Sequence, residues 1–192
     1  MRLRTSLALG LSLAVAALLA SAPLRANIVV NGGFETGDFT GWTQFGDTSF
    51  SGVDGLSPFA GTYAAFFGPA ETGGISQTLA TAAGTVYHIE FWLKNEVDAN
   101  GDDTPNLFQM NWDGVAVAQI MLTDASVPGY TLFGINLAAT GALTDLSFAF
   151  TNVPAFWDLD NVSVTTVPEP GTLALLALAG TMLGFGRRRR VA

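Results

Sequence analysis

The chain has 192 residues, with 16 Asp and Glu against 8 Lys and Arg, one histidine and no cysteine, so disulfides, cysteine nucleophiles and thiolate zinc sites are excluded. The basic residues gather at the two ends: three precede residue 27 and four follow residue 186. Lys94 alone lies between, against fifteen acids, which gives that central part a formal charge of about −14. Such a balance argues against nucleic acid or anionic lipid as a partner and favours bound cations.

Met1 to Ala26 carries Arg2 and Arg4, an apolar run from Leu7 to Ala20 and a small residue at Ala26. This is the pattern of a secretory signal peptide. Cleavage after Ala26 leaves Asn27 as the first mature residue, whereas a cut after Ala22 would be followed by Pro23. The other reading of the segment is a retained N-terminal anchor.

Residues 27–166, near 140 residues, are long enough for one domain with its own core. Runs rich in Val, Ile, Phe, Tyr and Thr recur between Gly, Asn, Asp and Pro clusters, the spacing of an all-β sandwich. Thr85–Leu93 is the clearest strand: Tyr87, Ile89, Phe91 and Leu93 form a core face, and Val86, His88, Glu90 and Trp92 alternate with them. Asp98, Asn100 and Asp102 have the 1-3-5 spacing of a calcium loop. Position six is Asp103 instead of Gly and position twelve is Gln109 instead of Glu, so the segment is an acidic loop between strands. Leu107–Leu122 is a hairpin turning at Asp113-Gly114, a dipeptide suited to a tight primed turn. Leu146, Phe148 and Phe150 give another core face, with Ser147, Ala149 and Thr151 outward, and the last strand spans about Phe156–Thr165. No helical stripe occurs between 27 and 166.

Pro168 and Pro170 hold Val167 and Glu169 extended and outside any sheet interior. From Gly171 to Gly186 the run is uncharged, polar only at Thr172 and Thr181, and a helix there would be apolar all round. Sixteen residues rise about 24 Å, short of the roughly 30 Å hydrocarbon core, and Arg187, Arg188, Arg189 and Arg190 would hold its end in the cytoplasm. A buried helix of the globular domain is the other reading, and the abutting arginines are hard to pack inside a fold.

In order, Pro168-Glu169-Pro170, a short transmembrane helix over 171–186 and the Arg187–Arg190 cluster, the tail from 167 to 192 resembles the PEP-CTERM sorting signal of Gram-negative bacteria. The resemblance implies recognition by an exosortase, removal of the helix near the motif, and delivery to the cell surface or the extracellular polymer. It says where the protein goes and leaves its task there open.

A second resemblance spans most of 27–166. Asn31-Gly-Gly-Phe34-Glu35-Thr-Gly37 with Gly41-Trp42, then Ser76-Gln77-Thr-Leu79, Tyr87-His-Ile-Glu-Phe91-Trp92 and Trp157-Asp158-Leu-Asp160-Asn161-Val162 look like the galactose-binding-like jelly roll shared by several carbohydrate-binding modules. The resemblance implies a jelly-roll β-sandwich in which a structural Ca²⁺ ties the first segment to the last strand. Glu35 and Asp160 match the ligand positions and Asp158 is a further candidate; the plain alternative makes them solvated turn acids. For a sugar, Trp92 shares a strand face with Glu90 and His88, a ring beside polar groups. Trp42, Tyr63 and Trp112 are other rings that could serve.

Catalysis has little support. His88 is mid-strand beside Glu90, and a triad built on it would need a serine and an acid to converge. Spacing selects no carboxylate pair for glycoside hydrolysis. The expectation is an exported, non-catalytic surface or exopolysaccharide-matrix protein; the alternatives are a carbohydrate-binding module and, more distantly, a glycan hydrolase. Signal peptidase, an exosortase and an extracellular polysaccharide are the expected partners, the inner membrane is met only transiently through the C-terminal helix, and possible Ca²⁺ is the cofactor.

Overall fold

The computed structural model describes residues 26–153 and 155–168. The expected signal segment up to Arg25, Glu169, Pro170, the helix over 171–186 and the four arginines lie outside the described residues. Among the described residues, no helix is long and apolar enough to cross a membrane.

Ala26–Val167 is one compact unit of eleven strands: β1 Thr43–Gly46, β2 Ser51–Asp54, β3 Ala64–Phe67, β4 Gly73–Ala80, β5 Val86–Asn95, β6 Asn106–Trp112, β7 Val115–Ala116, β8 Leu122–Thr123, β9 Thr131–Ala138, β10 Leu143–Asn152 and β11 Trp157–Thr166. They form two antiparallel sheets. The first runs β1-β4-β10-β6-β7, with β8 also on β6, and the second runs β2-β3-β11-β5-β9. The all-β sandwich anticipated from the residue pattern is present.

Alternation places the core between the sheets. Tyr87, Ile89, Phe91 and Leu93 of β5 are buried, as are Leu146, Phe148 and Phe150 of β10. Contacts across the gap are largely aromatic: Phe67 stacks on Phe150 with centroids 4.0 Å apart, and Phe91 meets Phe148 edge-on at 5.1 Å. Each such side chain contributes roughly 2–3 kcal/mol by leaving water, which lets a cysteine-free domain of this size hold a single structure.

The hairpin turns at Asp113 and Gly114, with φ of 55° and 75°, and Trp112 pairs Val115 across it. Its return is shorter than the pattern suggested. β7 stops after two residues, a 3-10 turn over Ala118–Ile120 buries Ile120, and β8 comes back to pair Leu107 and Phe108.

The opening segment runs beside β11. Ile28 N donates to Val164 O at 3.0 Å, Val164 N to Asn27 Oδ1 at 2.9 Å, and Val162 N to Gly32 O at 2.8 Å. A Cβ on Gly32 would collide with the Val162 carbonyl, so the Gly of Asn31-Gly-Gly-Phe34 is required by this close approach. Phe34, fully buried, anchors the turn.

Candidate functional site

Glu35 and Asp160, far apart in sequence, reach the same loop. Glu35 accepts hydrogen bonds from Thr62 N (2.9 Å to Oε1) and Tyr63 N (3.2 Å), while Asp160 Oδ2 accepts from Phe59 N at 3.0 Å and Ala60 N at 3.1 Å. A Cβ on Gly33 would lie 3.8 Å from Glu35 Cγ and 3.9 Å from Asp160 Oδ1, so the two side chains flank one glycine. Asp160 is fully buried. Burial raises its pKa, the N–H groups of Ala60, Asn161 and Phe59 oppose that, and the Glu35 charge adds to it. Among the described residues neither acid has a basic partner. Asp160 Oδ1 also accepts from Asn161 N at 2.6 Å and Glu35 Oε2 from Thr62 N at 3.1 Å, and no group of three or more His, Asp or Glu is gathered among the described residues. A calcium ion here would take its remaining oxygens from backbone carbonyls.

Asp158 is placed differently. It lies on the outer face of the second sheet, where Lys94 Nζ approaches its Oδ2 at 2.8 Å. The acidic loop closes on itself, since Asp98 Oδ1 accepts from Asn100 N and Asp102 N, both at 2.8 Å. The Asp102 amide heads the interactions that hold the Asp98 carboxyl below its ordinary value.

His88, Glu90 and Trp92 share the outer face of the second sheet. His88 Nδ1 is 2.7 Å from Asn136 Oδ1 and its Nε2 is 3.3 Å from Glu90 Oε2. Trp92 is half-buried because Phe59 stacks on it, with ring centroids 3.8 Å apart and planes at 15°. Tyr130 closes the cluster edge-on to Phe59, its hydroxyl donating to Ser57 O at 2.6 Å. Trp42 and Trp112 are core residues, 7% and 6% exposed. Each donates its indole N–H to a backbone carbonyl, of Asn31 and Ala138 respectively.

The first sheet presents a different outer face, which the sequence reading had not singled out. Cross-strand registers align Phe45, Gly74, Ala149 and Gln109 in one row and Thr43, Ser76, Ser147, Asn111 and Ala116 in the next. Small side chains thus lie between Phe45 and the two amides, about 14 Å apart across three strand spacings, and of these Gly74 and Ala149 are buried under their neighbours. A Cβ on Gly74 would lie 3.0 Å from the Phe45 ring, which places that ring over the glycine. Gln109 Nε2 donates to Asn111 Oδ1 at 2.7 Å, and Asn111 Nδ2 to Ser147 Oγ at 3.0 Å. Asp145, bonded by Thr78 Oγ1 at 2.9 Å, is the sole charged residue in the strands of this sheet. The available signal was the uncharged polar alternation Gln109, Asn111 on β6 and Ser147, Thr151 on β10.

Chemically, this face offers amides and hydroxyls that both donate and accept, beside an apolar ring, with almost no charge. The two-sheet sandwich carrying it is similar in fold to solved carbohydrate-binding-module domains. Three solved structures share the fold. One is a CBM61 module, TmCBM61, in complex with β-1,4-galactotriose (TM-score 0.57, 18% identity, covering 74% of this chain and 99% of that one). Another is the CBM22-1 xylan-binding domain from Paenibacillus barcinonensis Xyn10C (TM-score 0.54, 18% identity, 78% and 100%). The third is the enzymatically active domain of tailspike protein 4 of bacteriophage CBA120 (TM-score 0.56, 15% identity, 73% and 21%). At these identities the likeness is one of fold. The chain also carries the PEP-CTERM protein-sorting motif, matched over residues 166–190. No curated protein sequence matches it.

Proposed function

We propose that this is an exported, non-catalytic protein of the cell surface or exopolysaccharide matrix, whose sandwich binds a neutral extracellular polysaccharide across the outer face of the first sheet. Signal peptidase removes the N-terminal segment, and an exosortase acts at Pro168-Glu169-Pro170. The observation that carries the binding reading is the pair of cross-strand rows, with Phe45 on one side and Gln109 and Asn111 on the other. Vicinal sugar hydroxyls match paired amides, and a ring face suits the C–H surface of a pyranose. The neighbours solved with galactotriose or described as xylan-binding support the same class of ligand.

Two features favour binding over catalysis. Glycoside hydrolysis needs two carboxyl groups about 5–10 Å apart, and the strands of this sheet supply only Asp145. The chain's one histidine is engaged with Asn136 and Glu90 on the opposite outer face. We also propose a structural Ca²⁺ at Glu35 and Asp160, joining the opening segment to β11 through the loop at Phe59–Tyr63.

Affinity electrophoresis of the exported protein through gels containing neutral β-linked polysaccharides tests the reading. Retardation by at least one neutral polysaccharide, unchanged between 0.05 and 0.5 M salt, is expected, because uncharged hydrogen bonds and stacking are not screened. Retention only by charged polymers, lost in salt, would overturn it.

A further inference from the structure

Among the described residues, β9 is the outermost strand of the second sheet and pairs with β5 on one side only. The sheets' other terminal strands are short: four residues in β1 and in β2, two in β7. β9 has eight. Val86 O accepts from Val167 N on the far side of β5, so ladder alternation turns the N–H and C=O of Leu132, Gly134 and Asn136 outward. Ala138 has the same parity, and its carbonyl accepts from the Trp112 indole rather than from β5.

Edge strands of monomers are blunted by charge, proline or bulges. Thr131–Ala138 contains no charge and no proline, and its register with β5 runs unbroken from Val86↔Ala138 to Leu93↔Thr131. Its apolar side chains are incompletely covered. Leu132 is 48% exposed, and Phe133, Ile135 and Leu137 are only partly buried against the core, where the opposite sheet ends in the two-residue β7.

Charge selects the occupant. A two-fold interface sets one surface patch against the same patch of the copy, so on a domain with one lysine and fifteen acids most surfaces would oppose like charges. The uncharged β9 is a long edge that sets no charged side chain of its own against the copy. We propose that two copies of this chain pair β9 to β9, antiparallel about a two-fold axis, joining their five-stranded sheets into one. On the polysaccharide reading above, such a dimer carries two first-sheet faces and bridges two polymer chains, raising avidity without new contacts. The dimer itself does not depend on that reading.

Sedimentation analysis of the exported protein across a concentration series, with amide hydrogen exchange, tests the pairing. A two-fold mass is expected, with the Leu132, Gly134 and Asn136 amides exchanging more slowly as concentration rises. Leu132→Glu, at an exposed position, should give a monomer with an unchanged circular dichroism spectrum. Leu143→Glu, at a leucine 64% exposed on β10, should leave the dimer intact. A monomer at every concentration, a dimer that survives Leu132→Glu, or Leu132, Gly134 and Asn136 amides that exchange no more slowly in the dimer than in the monomer would each overturn the proposal. Because sugar binding is read separately by electrophoresis, failure of the dimer and failure of the polysaccharide reading are distinguishable.

Discussion

Lys94 holds the sandwich's one basic charge, with Nζ 2.8 Å from Asp158 Oδ2 and 3.0 Å from Glu96 Oε1. Burial works against that charge, but the two carboxylates outweigh it and hold the lysine pKa above its ordinary value. For Asp158, burial dominates and pushes its pKa up to about 7 from 3.8, against the pull of Lys94. Removing the lysine leaves a buried carboxylate without its counter-ion, a change worth about 3 kcal/mol. Lys94→Met is therefore expected to lose about that much stability at pH 8 by urea unfolding. The sign with pH follows from proton uptake. Between 3.8 and the raised value, the folded variant binds a proton that the unfolded chain has released, so its stability falls as pH rises. The deficit should shrink when the measurement is repeated at pH 5; a deficit that grows there would contradict this placement of Asp158. The pairing was not legible in the sequence, because Asp158 and Lys94 meet only through the β5–β11 register.

At the scale of elements, the strands with clean alternation were legible: Tyr87 to Leu93 and Leu146 to Phe150 are buried as their period of two requires. The close approach of the Asn31-Gly-Gly-Phe34 segment to β11 was legible only through resemblance, since local pattern says nothing about which distant strand a turn will meet. The outer faces were harder still. Trp92 does point away from the core, but Phe59 arrives from a loop that has no period to read and stacks on it. β9 hides its role in an uncharged run that could equally fill a sheet interior. The link between opening segment and last strand has its own test. Calcium at millimolar concentration should raise the Tm of the exported protein by roughly 5 °C, and chelation should reverse it, as expected when an ion binds only the folded state. Glu35→Gln should abolish the response. A Tm indifferent to both calcium and chelator would remove the ion from this junction.

The strands of the two sheets divide their charge unevenly, while the other ten acids of residues 27–166 lie outside the strands. The strands of the first sheet carry Asp145 alone, whereas those of the second carry Asp54, Glu90, Lys94, Asp158 and Asp160. Composition disclosed the acidity of the domain but not this segregation, which needs the strand order. The proposed contact with neutral polymer uses the first face, and the sorting motif begins at residue 166, where β11 ends. The most direct measurement is titration calorimetry with a retained polysaccharide, comparing wild type with Gln109→Ala/Asn111→Ala and with Glu90→Gln. Each lost hydrogen bond is worth about 0.5–1.5 kcal/mol, so the double variant should bind roughly 5- to 150-fold more weakly while Glu90→Gln binds as wild type. Unchanged affinity in the double variant, with binding lost in Glu90→Gln, would move the site to the second sheet and contradict the assignment.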